Sequence, residues 1–237
     1  MIPGSRHLSR LPLRKQPAAA AFSGTDLLFA IAGITLLAAA LIAPLAHGRT
    51  AASLAVCHSN LKEVTRALTQ FATDHNQTLP GSQPDEPGDL GFWYKEQVKK
   101  YVGLTGESST NDLVFGCPAD RGYTDPVPFR TSARFDFCSY AFNGLTLPGV
   151  PSLAGQELSK IKNPKRTLLA MEWTAHAPLS WHRSRTGTAN HPFYNDAESV
   201  VGFVDGHVKL IPIYYDGFNA AYTRDPIPSY EYQYSGN

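Results

Sequence analysis

The apolar positions of this chain follow three successive rhythms. From Leu27 to Ala46 they run almost unbroken as LLFAIAGITLLAAALIAPLA, twenty residues without a charge. Twenty residues at about 1.5 Å rise match a hydrocarbon core of about 30 Å, so the run predicts a membrane-spanning helix. Beyond Pro44 and Gly48 the rhythm turns helical. Leu54, Cys57, Leu61, Val64, Leu68 and Phe71 follow at spacings of 3, 4, 3, 4 and 3, the stripe by which an amphipathic helix buries one face. Ser59, Asn60, Lys62, Glu63, Arg66 and Thr69 fill the other positions. Asp74-His75-Asn76 and Leu79-Pro80-Gly81 then end the pattern, because Pro and Gly do not continue a helix. The expectation is one nearly continuous helix over 22–76, transmembrane in its first half, with Pro44 placed to kink it near the membrane exit.

From residue 80 the rhythm breaks into short pieces. Apolar Trp93, Tyr94, Val98, Tyr101 and Val102 predict a short helix over Trp93–Val102. Arg166–Trp173 reads as a strand. Ser199–Val204 and His207–Ile211 flank Asp205-Gly206 and predict a β-hairpin with positive φ at both turn positions. Asp205 is on this reading a turn residue rather than a ligand. Segments 103–165 and 174–198 read as long loops. The tail holds Tyr214, Tyr215, Tyr222, Tyr230, Tyr232 and Tyr234, expected to pack on the domain rather than form an adhesive surface. The fold class is α+β, with a long N-terminal membrane-spanning helix packed on a small antiparallel β-sheet domain over 80–237.

Charge sets an orientation. The chain carries 21 basic and 20 acidic residues, yet residues 1–21 hold Arg6, Arg10, Arg14 and Lys15 with no acid. The remainder therefore sums to −3, from 17 bases against 20 acids. A basic, acid-free head before an apolar run predicts a cytoplasmic leader and a periplasmic body. A cleaved signal peptide, with Ala38-Ala39-Ala40 as its site, is the alternative. A net charge of +1 and a charged fraction of 17% speak against a nucleic-acid binder, a coiled-coil rod or a polyelectrolyte.

Three cysteines outside the cytoplasm permit one disulfide and leave one thiol. Cys117–Cys138 is the first choice and Cys57 is expected as a small buried apolar residue. Glu172, His176, His182 and His191 crowd one region, but their spacing matches no familiar metal motif, so loop histidines are the expectation. Asp196, Glu198, Asp205 and Asp216 are candidate calcium oxygens without EF-hand order. No Gly-x-Ser-x-Gly, His-Glu-x-x-His or phosphate-cradling loop occurs, and no enzymatic activity or cofactor is expected.

Ala21-Phe22-Ser23-Gly24-Thr25-Asp26 resembles the prepilin peptidase site of type IV pilins and pseudopilins, with Ala21 for the usual Gly, Ser23 for Thr and Asp26 for Glu. Cys57-His58-Ser59-Asn60-Leu61-Lys62, Cys117-Pro118-Ala119-Asp120 and Ser139-Tyr140-Ala141-Phe142-Asn143 resemble blocks of type II secretion protein-G-like pseudopilins. Val204-Asp205-Gly206-His207-Val208 resembles the end of their His-x9-Asp-Gly signature, with Asn195 where the His belongs. The resemblance implies cleavage between Ala21 and Phe22 by a prepilin peptidase. It also implies pairing of Asp26 with the new amine of a neighbouring subunit, and capping of the helix by Asp26 is the compatible alternative. The implied function is a structural subunit of a type II secretion or type IV pilus-like filament at the inner membrane, with other pilin-like subunits and the assembly machinery as partners. The reading from a different class is a membrane-anchored protein that never assembles and binds polysaccharide or a surface ligand through Trp93, Trp173, Trp181 and the tyrosines.

Overall fold

The computed structural model describes residues 23–81, 93–123, 127–145, 147–184, 194–219 and 221–237, without the side chains of 39–47 and 221. The chain divides into two compact units, Met1–Ala46 and His47–Asn237. Helix α1, Gly24–Asp74, begins in the first unit and ends in the second. Its start is a reciprocal cap. The Ser23 amide donates to Asp26 Oδ2 at 3.0 Å, and the Asp26 amide approaches Ser23 Oγ at 3.3 Å, satisfying donors that the first helical turn leaves open. Its end is marked by left-handed backbone at Asn76 and Gln77, with φ of 53° and 61°.

The expected membrane span is not supported. Among the described residues no helix is long and apolar enough to cross a membrane. The fold is α+β with a small antiparallel sheet, and among the described residues its N-terminal helix does not qualify as membrane-spanning. The single-pass inner-membrane placement, cytoplasmic N-terminus and periplasmic body included, goes with it.

In the second unit the predicted stripe is the face that packs. Cys57, Leu61, Val64, Leu68 and Phe71 are buried, joined by Ala67 and Ala72. Each Leu or Val fully removed from water contributes about 1.5–3 kcal/mol. Among the described residues five strands form one antiparallel sheet: β1 Tyr140–Phe142, β2 Leu168–Glu172, β3 Arg183–Ser184, β4 Ala197–Phe203 and β5 Val208–Pro212. β1 pairs with β2, and β2 pairs with β4 at Val201–Phe203. β3 meets β4 at Ala197 and Glu198, while β5 pairs with β4 from Glu198 to Gly202. β2 and β3 therefore share one edge of β4, with Ser199 and Val200 in the gap between them, and β5 takes the other edge.

Alternation along β4 feeds two cores. Val200 and Val204 join the cluster built on α1, while Val201 and Phe203 join the cluster holding Tyr232 and Tyr234. The tyrosine tail thus covers the sheet as expected, fixed by Asn143 Nδ2 donating to the carbonyls of Leu168 and Tyr234 at 2.8 and 2.7 Å. α1 packs close over the sheet at Gly202, where a Cβ would lie 2.1 Å from Thr65 Oγ1.

Three local expectations change. The predicted helix over Trp93–Val102 is α2, Tyr94–Val98, followed by a 3-10 turn, Lys99–Val102. The hairpin forms, but only Gly206 has positive φ, at 91°. Gly206 N donates to Phe203 O and Phe203 N to His207 O, a type I turn closed by a left-handed glycine rather than a two-residue loop. The segments read as loops contain β1, β3 and several 3-10 turns.

Candidate functional site

Three sequence blocks far apart in the chain converge beside α1. Cys57, on the buried face of α1, is bonded to Cys117, with Cα atoms 4.8 Å apart. Cys117 follows the 3-10 turn Leu113–Phe115, which Asn60 ties to α1 by donating to the carbonyls of Leu113 and Gly116, both at 2.9 Å. Tyr140 of β1 donates its hydroxyl to Cys57 O at 3.3 Å. Ser139 Oγ accepts from Cys117 N at 3.0 Å and donates to Asp120 Oδ2 at 2.7 Å. Asp120 also accepts from the amides of Gly122 and Arg130, each at 2.9 Å.

The expected Cys117–Cys138 bridge is therefore replaced by Cys57–Cys117, with Cys138 free and buried. Ser139 Oγ accepts from Cys117 N, whereas the Cys138 thiol donates to Tyr140 O at 3.0 Å and lies 3.5 Å from the Tyr94 hydroxyl. Burial pushes the Cys138 thiol up to about 12, which keeps it protonated and unreactive.

Glu172 and His182 complete the cluster. Glu172 ends β2, fully buried. Its Oε2 accepts from Val200 N at 2.9 Å, so the side chain fills the gap on the β4 edge between β2 and β3. Its Oε1 lies 2.6 Å from His182 Nε2, just before β3, where the His182 amide donates to Ser180 Oγ at 3.0 Å. Cys117 Sγ is 3.5 Å from Glu172 Oε1 and 3.8 Å from His182 Nε2. One donor atom from each of Cys57, Cys117, Glu172 and His182 lies within 4.8 Å of the others. A buried carboxylate costs several kcal/mol unless it is paired, and here each oxygen has a partner. His182 Nδ1 is buried without one.

Of the other sequence candidates, His176 is elsewhere and His191 lies outside the described residues. Trp93 and Trp181 are core residues, 8% and 6% exposed. Trp173 and His176 instead line a cleft of about 470 Å³ with Tyr123, Tyr215, Phe218 and Tyr222. Both His176 ring nitrogens are shut off from water without a hydrogen-bond partner, as is the Tyr234 hydroxyl. Burial lowers the His176 imidazole to about 4, so it is neutral at pH 7.

The calcium candidates do not converge. Glu198 pairs with Arg183 at one end of β4, while Asp205 pairs with His207 at the turn beyond the other end. Asp216 pairs with Arg224 and accepts from the amides of Phe218 and Asn219. The signature residues Asp205, Gly206 and His207 shape that hairpin turn. Asp26 sits in its cap, where the Ser23 amide and hydroxyl hold its carboxyl below the usual range. The processing residues Ala21 and Phe22 lie outside the described residues.

Sequence reasoning grouped Glu172 with His182 but separated both from the two cysteines, because Cys57, Cys117 and Glu172 stand 60 and 55 positions apart along the chain. The signal for the cysteines was that Cys57 and Cys117 each open a block of the pseudopilin resemblance. No family model matches this chain, nor does any curated protein or any solved structure.

Proposed function

We propose that this chain is a structural, non-enzymatic subunit of a pilin-like filament, assembled by packing the first part of α1 against the same segment of neighbouring copies. The observation that carries this reading is the exposure of Leu27, Leu28, Phe29, Ile31, Ile34, Leu36 and Leu37, from 49% to 78%. At about 100° per residue these side chains point in every direction around the axis. A helix apolar all round needs cover all round. One partner covers one stripe, whereas several neighbouring copies in a filament core cover the whole circumference. Asp26 is the one charge at the head of this segment, and its described partner, Ser23, is neutral. It is therefore open to the neighbour's amine that the pilin resemblance supplies.

Sedimentation velocity and negative-stain microscopy of the full chain test this. Wild type is expected to form elongated particles, and Ile34→Asp with Leu37→Asp to return it to monomer with its near-UV circular dichroism unchanged. A wild-type chain that stays monomeric at about 100 µM, roughly 10⁻⁴ M and so weaker than most specific associations, removes the proposal.

The cleft favours a second reading, capture of a neutral, hydroxyl-bearing ring such as a sugar. Trp173, Phe218 and Tyr222 give it aromatic stacking surfaces, and its size falls within the range of small-ligand sites, about 300–1,000 Å³. Titration with neutral oligosaccharides, followed by tryptophan fluorescence, should show saturable quenching that Trp173→Ala abolishes. A flat response to a panel of hexose and hexosamine oligomers argues against it.

A further inference from the structure

We propose that Cys57, Cys117, Glu172 and His182 form a redox-gated zinc site, which binds one Zn²⁺ when the disulfide is reduced and releases it when the disulfide closes. The inference concerns the second unit and does not depend on filament assembly.

The donor set carries it. Two sulfurs, one imidazole nitrogen and one carboxylate oxygen are the ligand types zinc takes, and four protein ligands close the shell of a structural site. With Zn–S of about 2.3 Å and Zn–N or Zn–O of about 2.0–2.1 Å, a tetrahedron has S···O and S···N edges of about 3.5–3.6 Å. The observed separations from Cys117 Sγ are 3.5 Å to Glu172 Oε1 and 3.8 Å to His182 Nε2. Two edges are thus in place with the bond closed. Two must open: the S–S bond, and the Glu172–His182 contact of 2.6 Å, which a metal replaces with an edge of about 3.3 Å.

The surroundings suit a ligand shell. Glu172 Oε2 is anchored on Val200 N, leaving Oε1 as the coordinating oxygen, and Asn60 and Ser139 hold the two ends of the Gly116–Cys117 peptide. Such outer partners fix the orientation of metal ligands. His182 binds through Nε2, the nitrogen facing the sulfurs.

The chemistry balances with a dithiol reductant. Thiol–disulfide exchange converts the Cys57–Cys117 bond into two thiols and the reductant into its own disulfide, moving two electrons and two protons. Zinc then displaces both thiol protons to solvent as the thiolates coordinate. Reoxidation by exchange with a disulfide oxidant re-forms the Cys57–Cys117 bond and passes two electrons to the oxidant, which takes two protons from solvent and leaves as its dithiol; both thiolate ligands are lost at once, and a carboxylate with one imidazole does not retain the ion.

The test uses the full chain, reduced with dithiothreitol under nitrogen, desalted, and titrated with Co²⁺ as a spectroscopic probe and then with Zn²⁺. Expected are one ion per chain, the visible bands of tetrahedral cobalt and a thiolate charge-transfer band, with no binding by the oxidised chain. Glu172→Gln and His182→Ala should each weaken zinc binding by at least about 10-fold. If the reduced chain loses its fold, zinc should restore it. The proposal is overturned if the reduced wild type takes up no stoichiometric metal, if its cobalt spectrum lacks the thiolate band, or if the oxidised chain binds equally well. It is also overturned if zinc fails to refold a reduced, unfolded chain. The wild-type spectra decide the matter even where a variant does not fold.

Discussion

His176 and Gly202 show how single residues depend on what surrounds them. The imidazole of His176 titrates near 4 where its ordinary value is 6.5. Between those values the unfolded chain binds a proton that the folded chain refuses, so stability rises with pH across that window and falls as the solution is acidified through it. At about 1.36 kcal/mol per pH unit the loss by pH 4 is at most about 3 kcal/mol. Urea unfolding at pH 7 and pH 4.5 should show this slope, and His176→Phe should flatten it. At Gly202 the constraint is steric. The missing side chain leaves room for Thr65 of α1, and Gly202→Ala should cost about 1–3 kcal/mol through overpacking. Adding Thr65→Ala should recover part of that loss, because the remaining Thr65 Cβ sits at 3.3 Å. A loss that Thr65→Ala leaves untouched would place the strain elsewhere.

Among the elements, α1 is the one whose pattern says most. Its 3-4 stripe identifies the face that is buried in the second unit, because a helix on a sheet must turn its apolar side inward. Its partners are not in the pattern. The disulfide ties α1 to a 3-10 turn 60 positions away, and nothing in the spacing of three cysteines chooses between Cys57 and Cys138. That choice came from the tertiary fold, which sets Cys138 against Tyr140 O and the Tyr94 hydroxyl. Removing the bridge with Cys57→Ser and Cys117→Ser should destabilise the fold by about 4 kcal/mol, the loop-closure value for a 60-residue separation. Chemical denaturation checks the size. Alkylation checks the pairing: the native, non-reduced chain should take up no label, and the unfolded, non-reduced chain one, at Cys138. Label at Cys57 instead would reject the assignment. Strands β1 and β3 were illegible for a related reason. Three and two residues long, they are too short for a period of two to show, and pairing with β2 and β4 makes them strands.

At the scale of the whole chain the two units differ in what holds them. His47–Asn237 contains both apolar clusters, the sheet and the disulfide, so a fragment of residues 47–237 should unfold cooperatively and remain monomeric. The full chain should assemble. Equal sedimentation of the two would separate assembly from the apolar part of α1. The sequence by itself determined the elements whose evidence is local: the α1 stripe, the β4–β5 hairpin with its Asp-Gly turn, the β2 strand, and a tail rich in tyrosine. Each is a short-range pattern set by backbone geometry, and it survives any tertiary arrangement. The tertiary structure decided what depends on distance through space. It selected Cys57 as the partner of Cys117, brought Glu172 and His182 to that bond, withdrew Trp93 and Trp181 into the core, and left Trp173 and His176 facing a cleft. Such juxtapositions arise when strands from distant parts of the chain share an edge of β4, and sequence spacing carries no record of which edges meet.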